Sequence, residues 1–245
     1  MKINVLGVRF DNLTADEALA RGAQLLAEPG FHYVVTPNPE FILAAEKDEE
    51  FRSILNAADL VLPDGIGVVY SAKLLGTPLK GRCPGIEFAE GMLAHLDNVG
   101  GRLFLLGAKP GVAEEAGRRI CEKHPGIILC GTHDGYFKED EPVVQAIQAA
   151  RPDLLFVCLG APRQEKWMAA HGPRTGAKLA AGLGGSLDVF AGAVERAPEG
   201  WQKLNLEWAY RLKKEPKRIG RMAKLPLVLV KAIKARLTGG MKEDA

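Results

Sequence analysis

The apolar run Leu154–Cys158 stops at Leu159-Gly-Ala-Pro162 and gives way at once to Arg163-Gln-Glu-Lys-Trp167. An unbroken apolar run this short, bounded by Gly and Pro, is the pattern of a strand buried on both faces. Two more runs end in the same way. His32-Tyr-Val-Val-Thr-Pro-Asn-Pro-Glu40 puts Thr36 and Asn38 at a strand end, and Asp59-Leu-Val-Leu-Pro-Asp-Gly-Ile-Gly67 puts Asp64 at another. Further strands are expected over 1–7, 103–107, 127–130 and 177–182. Helices are expected from the capping box Thr14-Ala-Asp-Glu17 to about residue 27, then over 39–57, 66–75, 85–97, 110–123, 142–150 and 163–170. This βαβα order predicts an α/β fold, a mostly parallel Rossmann-like sheet covered by helices. Ligands of open α/β sheets bind at the carboxyl ends of the strands, so the loops after these runs are where function is expected.

The pattern breaks near Arg196-Ala-Pro-Glu-Gly200. Beyond it no strand is expected. Trp201, Leu204, Trp208 and Leu212 recur at helical spacing, as do Ile219, Met222, Leu229, Ile233 and Leu237, with Pro216 and Pro226 dividing the segment into two or three short helices. The chain therefore reads as an α/β domain over 1–195 and a helical appendage over 196–245. Charge divides along the same line. The last 50 residues hold 13 Lys plus Arg against 5 Asp plus Glu, a net of +8, whereas the whole chain carries only +2. A basic amphipathic appendage on an acidic body suits an anionic membrane surface. The alternative is a solvated helical pair packed on the body. Nucleic acid is not expected as a partner, because the tail has no recognisable reading module.

The amino terminus lacks the apolar stretch of a signal peptide, and no run approaches the ~20 apolar residues of a membrane span. Cys83, Cys121, Cys130 and Cys158 form no metal-ligand spacing and read as reduced thiols, Cys121 and Cys130 flanking a strand. These features suggest a cytoplasmic protein. Several chemistries are excluded by missing motifs: there is no P-loop, no full dinucleotide fingerprint and no nucleophile elbow. No Asp-x-Asp occurs, so the usual metal anchor for a nucleotide-sugar diphosphate is missing. No metal and no cofactor are expected, and a bound diphosphate would be held by arginines and backbone amides.

Individual residues leave alternatives open. Asp64, in Pro-Asp-Gly-Ile-Gly, suits a general base, or an N-cap for the following helix. Thr36 and Asn38 suit the same site, or cap the helix that starts at Pro39. Arg82, in Lys80-Gly-Arg-Cys-Pro-Gly85, suits anion binding or a plain surface role. Gly107-Ala-Lys-Pro-Gly111 resembles a phosphate-cradling turn. Gly131-Thr-His-Asp-Gly-Tyr-Phe137 offers a polar wall with Tyr136 as an aromatic platform, and His133 reads as a solvated loop histidine. Asp188, in Gly184-Gly-Ser-Leu-Asp188, suits a ribose hydroxyl or a first helical turn.

In this order, the set resembles the WecG/TagA/CpsF glycosyltransferase family. The matching stretches are Thr36–Glu40, Ala58–Gly67, Arg82–Gly85, Leu106–Gly111, Asp134–Phe137, Leu159–Trp167, Gly184–Gly192, Arg196–Pro198 and Leu206–Arg211, and the likeness covers about residues 2–222. The resemblance implies an inverting, metal-independent transferase at the inner face of the bacterial membrane. One branch of the family moves N-acetylmannosamine from its UDP donor to undecaprenyl-diphosphate-linked N-acetylglucosamine; another moves the corresponding uronic acid. By the same resemblance Asp64 matches the catalytic base, with Thr36 and Asn38 beside it. Arg82 and Gln164 match residues near the donor, and Arg211, Arg218 and Arg221 match appendage arginines that close over the diphosphate. Arg163, Tyr136 and Asp188 complete the expected substrate-binding set.

The reading taken forward is N-acetylmannosaminyl transfer from a UDP-sugar donor to a polyprenyl-diphosphate-linked sugar acceptor, in cell-wall polymer synthesis of the teichoic-acid type. The near alternative is another donor such as the uronic acid. An alternative of a different class is a non-catalytic nucleotide-sugar-binding or membrane scaffold protein, which would tolerate loss of Asp64. Homo-oligomer formation is left open.

Overall fold

A computed structural model describes residues 1–203, 207–214 and 224–238. The amino-terminal run does not enter the main sheet as its first strand. It turns back at Leu6-Gly7, so that β1 (Lys2–Val5) and β2 (Val8–Asp11) form a separate two-stranded antiparallel sheet. Both strands alternate buried and exposed residues. Period-two alternation is the mark of a sheet with one wet face, and so it separates this hairpin from the doubly buried runs.

The first helix, α1 (Ala15–Ala27), opens on the expected capping box. The Glu17 N–H donates to Thr14 Oγ1 at 3.2 Å, and the Thr14 N–H donates to the Glu17 carboxylate at 2.8 Å. After it come β3 (His32–Val35), α2 (Pro39–Lys47), α3 (Glu49–Ala57), β4 (Leu60–Val61), α4 (Ile66–Leu75) and α5 (Gly85–Val99). The second half holds β5 (Arg102–Gly107), α6 (Val112–Lys123), β6 (Ile128–His133), α7 (Asp140–Ala150), β7 (Leu154–Cys158), α8 (Arg163–His171), β8 (Leu179–Gly182) and α9 (Ser186–Phe190). The last six strands form one sheet in the order β4-β3-β8-β7-β5-β6, parallel throughout.

Alternate side chains of the central strands feed two cores. Val35, Leu155, Val157 and Ala180 face one layer with α2, α3, α4 and α8; Val34, Leu154, Phe156, Leu179 and Ala181 face the other with α1, α5 and α6. Each fully buried Leu or Phe contributes about 1.5–3 kcal/mol, and β7 and β8 are buried along their whole length. Two expectations at β6 change. Cys130 and His133 lie inside the strand, not beside it, because the run continues through Gly131 and Thr132 alongside β5. All four cysteines are free thiols.

The described part of the tail comprises α10 (Glu199–Lys203), α11 (Glu207–Lys214) and α12 (Lys224–Leu237). α12 lies across α4 and α2. Val228 and Ala232 are fully buried there and belong to the same core as β3 and β7. Lys224 pairs with Glu40 at 3.3 Å, Lys231 with Glu46 at 2.7 Å, and Arg236 Nη1 donates to the Leu75 carbonyl at 3.1 Å. The opposite face leaves Leu227, Val230, Ile233 and Leu237 exposed. Among the described residues, no helix is long and apolar enough to cross a membrane.

Candidate active site

The carboxyl ends of β3, β4, β7 and β8 are joined by a continuous chain of short contacts. The Asp64 N–H, in the loop after β4, donates to the Pro37 carbonyl at 3.0 Å. One residue before Pro37, the Thr36 hydroxyl donates across the sheet to the Gly182 carbonyl at 3.1 Å. Gly182 ends β8, and a Cβ there would stand 3.0 Å from Gln164 Nε2 and 3.3 Å from Glu165 Oε1. Gln164, at the start of α8, accepts the Gly184 N–H at 3.0 Å on Oε1. Asp64, Thr36 and Gln164, far apart in sequence, are thus brought to one edge by the order β4-β3-β8-β7.

The capping alternatives meet a geometric answer. Asp64 is not the cap of α4: that position is held by Gly65, with no side-chain cap hydrogen bond. Gly65 has φ of +93°, a conformation that disfavours any side chain. The bend it makes sets Asp64 one residue outside the helix, half-buried at the sheet edge. Asn38 does cap α2, accepting the Glu40 N–H at 2.8 Å. Thr36 caps nothing, because its hydroxyl is committed to Gly182. Asp188 lies in the first turn of α9.

Arg82 is close by. The Cys83 N–H donates to the Pro63 carbonyl at 2.8 Å, which holds the Arg82 segment against the Asp64 loop. Burial, then the carboxylates of Glu87 and Asp64, push the Cys83 thiol up to about 11. The Arg82 guanidinium is turned toward the tail. Nη1 meets Glu207 of α11 at 2.7 Å and Nη2 donates to the Gln202 carbonyl of α10 at 3.1 Å. Arg196 meets the same Glu207 at 3.4 Å and also Glu87 at 2.6 Å and Glu90 at 3.4 Å.

Arg163 and Tyr136 stand further along the edge, at the β5–β7 side. β5 leads on to β6 while β7 leads the other way to β8, so the crevice between β5 and β7 is a topological switch point. Arg163 Nη1 donates to the Gly135 carbonyl at 2.7 Å, and its guanidinium lies 4.5 Å from the centre of the Phe137 ring. Tyr136 is 68% exposed beside it. Arg211 falls within α11, and Arg218 and Arg221 lie outside the described residues. Among the described residues no three His, Cys, Asp or Glu side chains cluster to hold a metal ion.

Three residues at this edge escaped the sequence reading. Glu207 joins Arg196 to Arg82, from which it is 125 residues distant, a pairing with no local signature. Glu165, fully buried, carries one: Gln164, Glu165, Trp167 and Met168 share the buried side of α8, and helical spacing from the apolar pair places both polar residues inward.

The model of the glycosyl transferase WecG/TagA/CpsF family matches residues 3–242. A protein of Staphylococcus aureus (strain MRSA252) named N-acetylglucosaminyldiphosphoundecaprenol N-acetyl-beta-D-mannosaminyltransferase is 38% identical over 239 residues, covering 96% of this chain and 93% of that protein. Its counterpart in strain MW2, with the same name, is 37% identical over the same coverage.

Proposed function

The chain belongs to the WecG/TagA/CpsF family of glycosyl transferases, and from that premise we propose that it transfers N-acetylmannosamine from UDP-N-acetylmannosamine to undecaprenyl-diphosphate-linked N-acetylglucosamine. The observation that carries the reading is the 38% identity with the S. aureus enzyme of that name along 96% of the chain. The geometry of the edge is compatible with it.

In this reading Asp64 is the general base. The acceptor hydroxyl loses its proton to the Asp64 carboxylate while its oxygen bonds to the anomeric carbon. The bond from that carbon to the diphosphate breaks on the opposite side and UDP leaves, which inverts the configuration. A base positioned in this way supplies roughly 10²–10⁴ in rate. Thr36 and Asn38 shape the floor beside it. Gln164, Asp188 and Tyr136 meet the donor. The charge that develops on UDP is met by Arg82 and Arg163, with Arg211, Arg218 and Arg221 brought over from the tail. For Arg82 that requires exchanging Glu207 for phosphate. The exposed apolar stripe of α12 and the basic tail seat the enzyme on the anionic membrane that holds the acceptor.

The test is UDP release from a panel of UDP-sugars with a short-chain lipid-diphosphate acceptor, run with and without excess EDTA. N-acetylmannosamine should be the preferred donor sugar, and EDTA should leave the rate unchanged. Preference for the uronic acid, or activity restored only by Mg²⁺ or Mn²⁺, overturns the corresponding part of the reading.

A further inference from the structure

Glu165 is the most deeply buried carboxyl at the site, with none of its surface exposed. Its Oε1 accepts Gln164 Nε2 at 2.6 Å, while Oε2 is buried with no hydrogen-bond partner. Gln164, 1% exposed, is therefore gripped at both ends: its nitrogen by Glu165 and its oxygen by the Gly184 N–H. An amide turned by 180° would set its NH₂ against the Gly184 N–H and its oxygen against Glu165 Oε1, so the two partners together admit one orientation. The absence of a side chain at Gly182 leaves the space in which this pair sits.

We propose that Glu165 is a positioning residue for donor binding: its buried carboxyl sets the orientation of the Gln164 amide and, through it, the Gly184-Gly185 turn that opens α9. The inference rests on the reading that Gln164 meets the donor.

No charged group offsets the burial of Glu165. α8 packs on β3, β7, β8 and α3 and on the short 3₁₀ turn Gly172–Arg174. β8 carries no titratable side chain, and β7 only Cys158, whose thiol burial pushes up to about 12. On β3, the Tyr33 phenol is likewise raised to about 12, and His32 pairs with Asp59 at 2.9 Å. Around α3, Asp48 and Glu50 are taken by Lys166, and Glu49 by Arg52. Arg174 of the 3₁₀ turn pairs with Glu141, and His171 with Asp140. Burial therefore outweighs the hydrogen bonds from Gln164 and from the Glu165 backbone, and raises the carboxyl to about 7. Because the folded value lies above the ordinary 4.5, the neutral acid is favoured in the fold. Its contribution to stability is complete below about 4.5 and is lost as pH rises through about 7.

The experiment follows donor KM and kcat by UDP release from pH 5.5 to 9, with thermal unfolding at each pH, in the full chain and in Glu165→Gln and Glu165→Leu. In the wild type, ionisation above about 7 leaves Oε1 an acceptor for Gln164, so donor KM should hold across the range while the melting temperature falls. Glu165→Gln keeps an acceptor for Gln164 but cannot ionise; it should keep the wild-type donor KM and lose the alkaline fall in melting temperature. Glu165→Leu removes the acceptor and should raise donor KM roughly tenfold at every pH, the scale of one hydrogen bond, with kcat changed much less. A donor KM raised as much in Glu165→Gln as in Glu165→Leu overturns the proposal, as does a wild-type donor KM in folded Glu165→Leu. If the leucine variant does not fold, Glu165→Met, which also lacks the acceptor, is read in its place. A wild-type protein that neither binds UDP nor releases it from any UDP-sugar overturns the donor reading and this inference with it; normal wild-type turnover with unaltered variants overturns this inference alone.

Discussion

Two parts of the molecule meet at Arg82, and they are held by different forces. On one side is the strand-end bed, where Thr36, Asp64 and Gln164 are fixed by hydrogen bonds to or from backbone groups of Gly182, Pro37 and Gly184. On the other is α11, bound through Glu207 to two arginines. Contacts of the buried Thr36 and Gln164 side chains with backbone groups meet little competition from water, so they hold the bed in one arrangement. Ion pairs between side chains have many competing partners, among them salt ions and phosphate oxygens. In the proposed reading, that difference suits a fixed floor for base and donor beside a helix whose ion pairs can be exchanged for phosphate.

The bed is tested most severely at Asp64. Asp64→Asn preserves size and the backbone bond to Pro37, so fold and UDP binding should survive while turnover falls by roughly 10²-fold or more. Circular dichroism, calorimetry with UDP and UDP release separate these outcomes. Near-normal turnover in the folded variant would remove Asp64 from the role of base.

A smaller effect is expected from crowding the bed. At Gly182 a Cβ would come within 2.8 Å of Met168 Cε and 3.0 Å of Gln164 Nε2. Gly182→Val adds two methyl groups beyond that Cβ, so Met168 and Gln164 must both move. Overpacking of this kind costs about 1–3 kcal/mol of stability, and the displaced Gln164 should raise donor KM several-fold. Denaturant unfolding and donor titration check both. Unchanged values in each would mean that the bed is soft, and the contrast with α11 would lose its basis.

The parts of this architecture that were legible in the sequence are those set by local rules. Leu154–Cys158 reads as a doubly buried strand from its short unbroken apolar run between Gly and Pro signals, and the Thr14 capping box marks the start of α1 to the residue. The amino-terminal hairpin was harder, because a turn at Leu6-Gly7 with φ of 51° and 95° carries no Asn-Gly or Asp-Gly signal. At the strand ends, Asp64 and Thr36 could be placed from the sequence, but whether either caps the helix that follows could not be told. That choice depends on the bend at Gly65 and on a carbonyl 146 residues away, at Gly182. The clasp of Arg82 and Arg196 by Glu207 had no trace at all, since a charged side chain in a loop or on a helix does not announce which distant charge it meets.

That clasp gives the finest test of the comparison. Glu207, Arg82 and Arg196 are 13%, 19% and 18% exposed as side chains, more enclosed than a surface pair and still within reach of solvent. Glu207→Gln keeps an acceptor oxygen and removes the charge. Arg82 and Arg196 retain Glu87 as a neighbour, at 3.8 and 2.6 Å, so neither arginine is stranded and the loss should be near the lower end for a hydrogen bond to a charged group, about 1–2 kcal/mol. The loss should appear locally. Amide hydrogen exchange in α11 should rise by roughly an order of magnitude, while β7 and β8 exchange at their wild-type rates. In the wild type, raising NaCl from 0.05 to 0.5 M should move α11 in the same direction by a smaller factor, and the variant should respond less to salt because the charge that salt screens is gone. Equal protection of α11 in both proteins at both salt concentrations would show that Glu207 does not hold the helix, and that the tail is attached to the body as firmly as the strand ends are to one another.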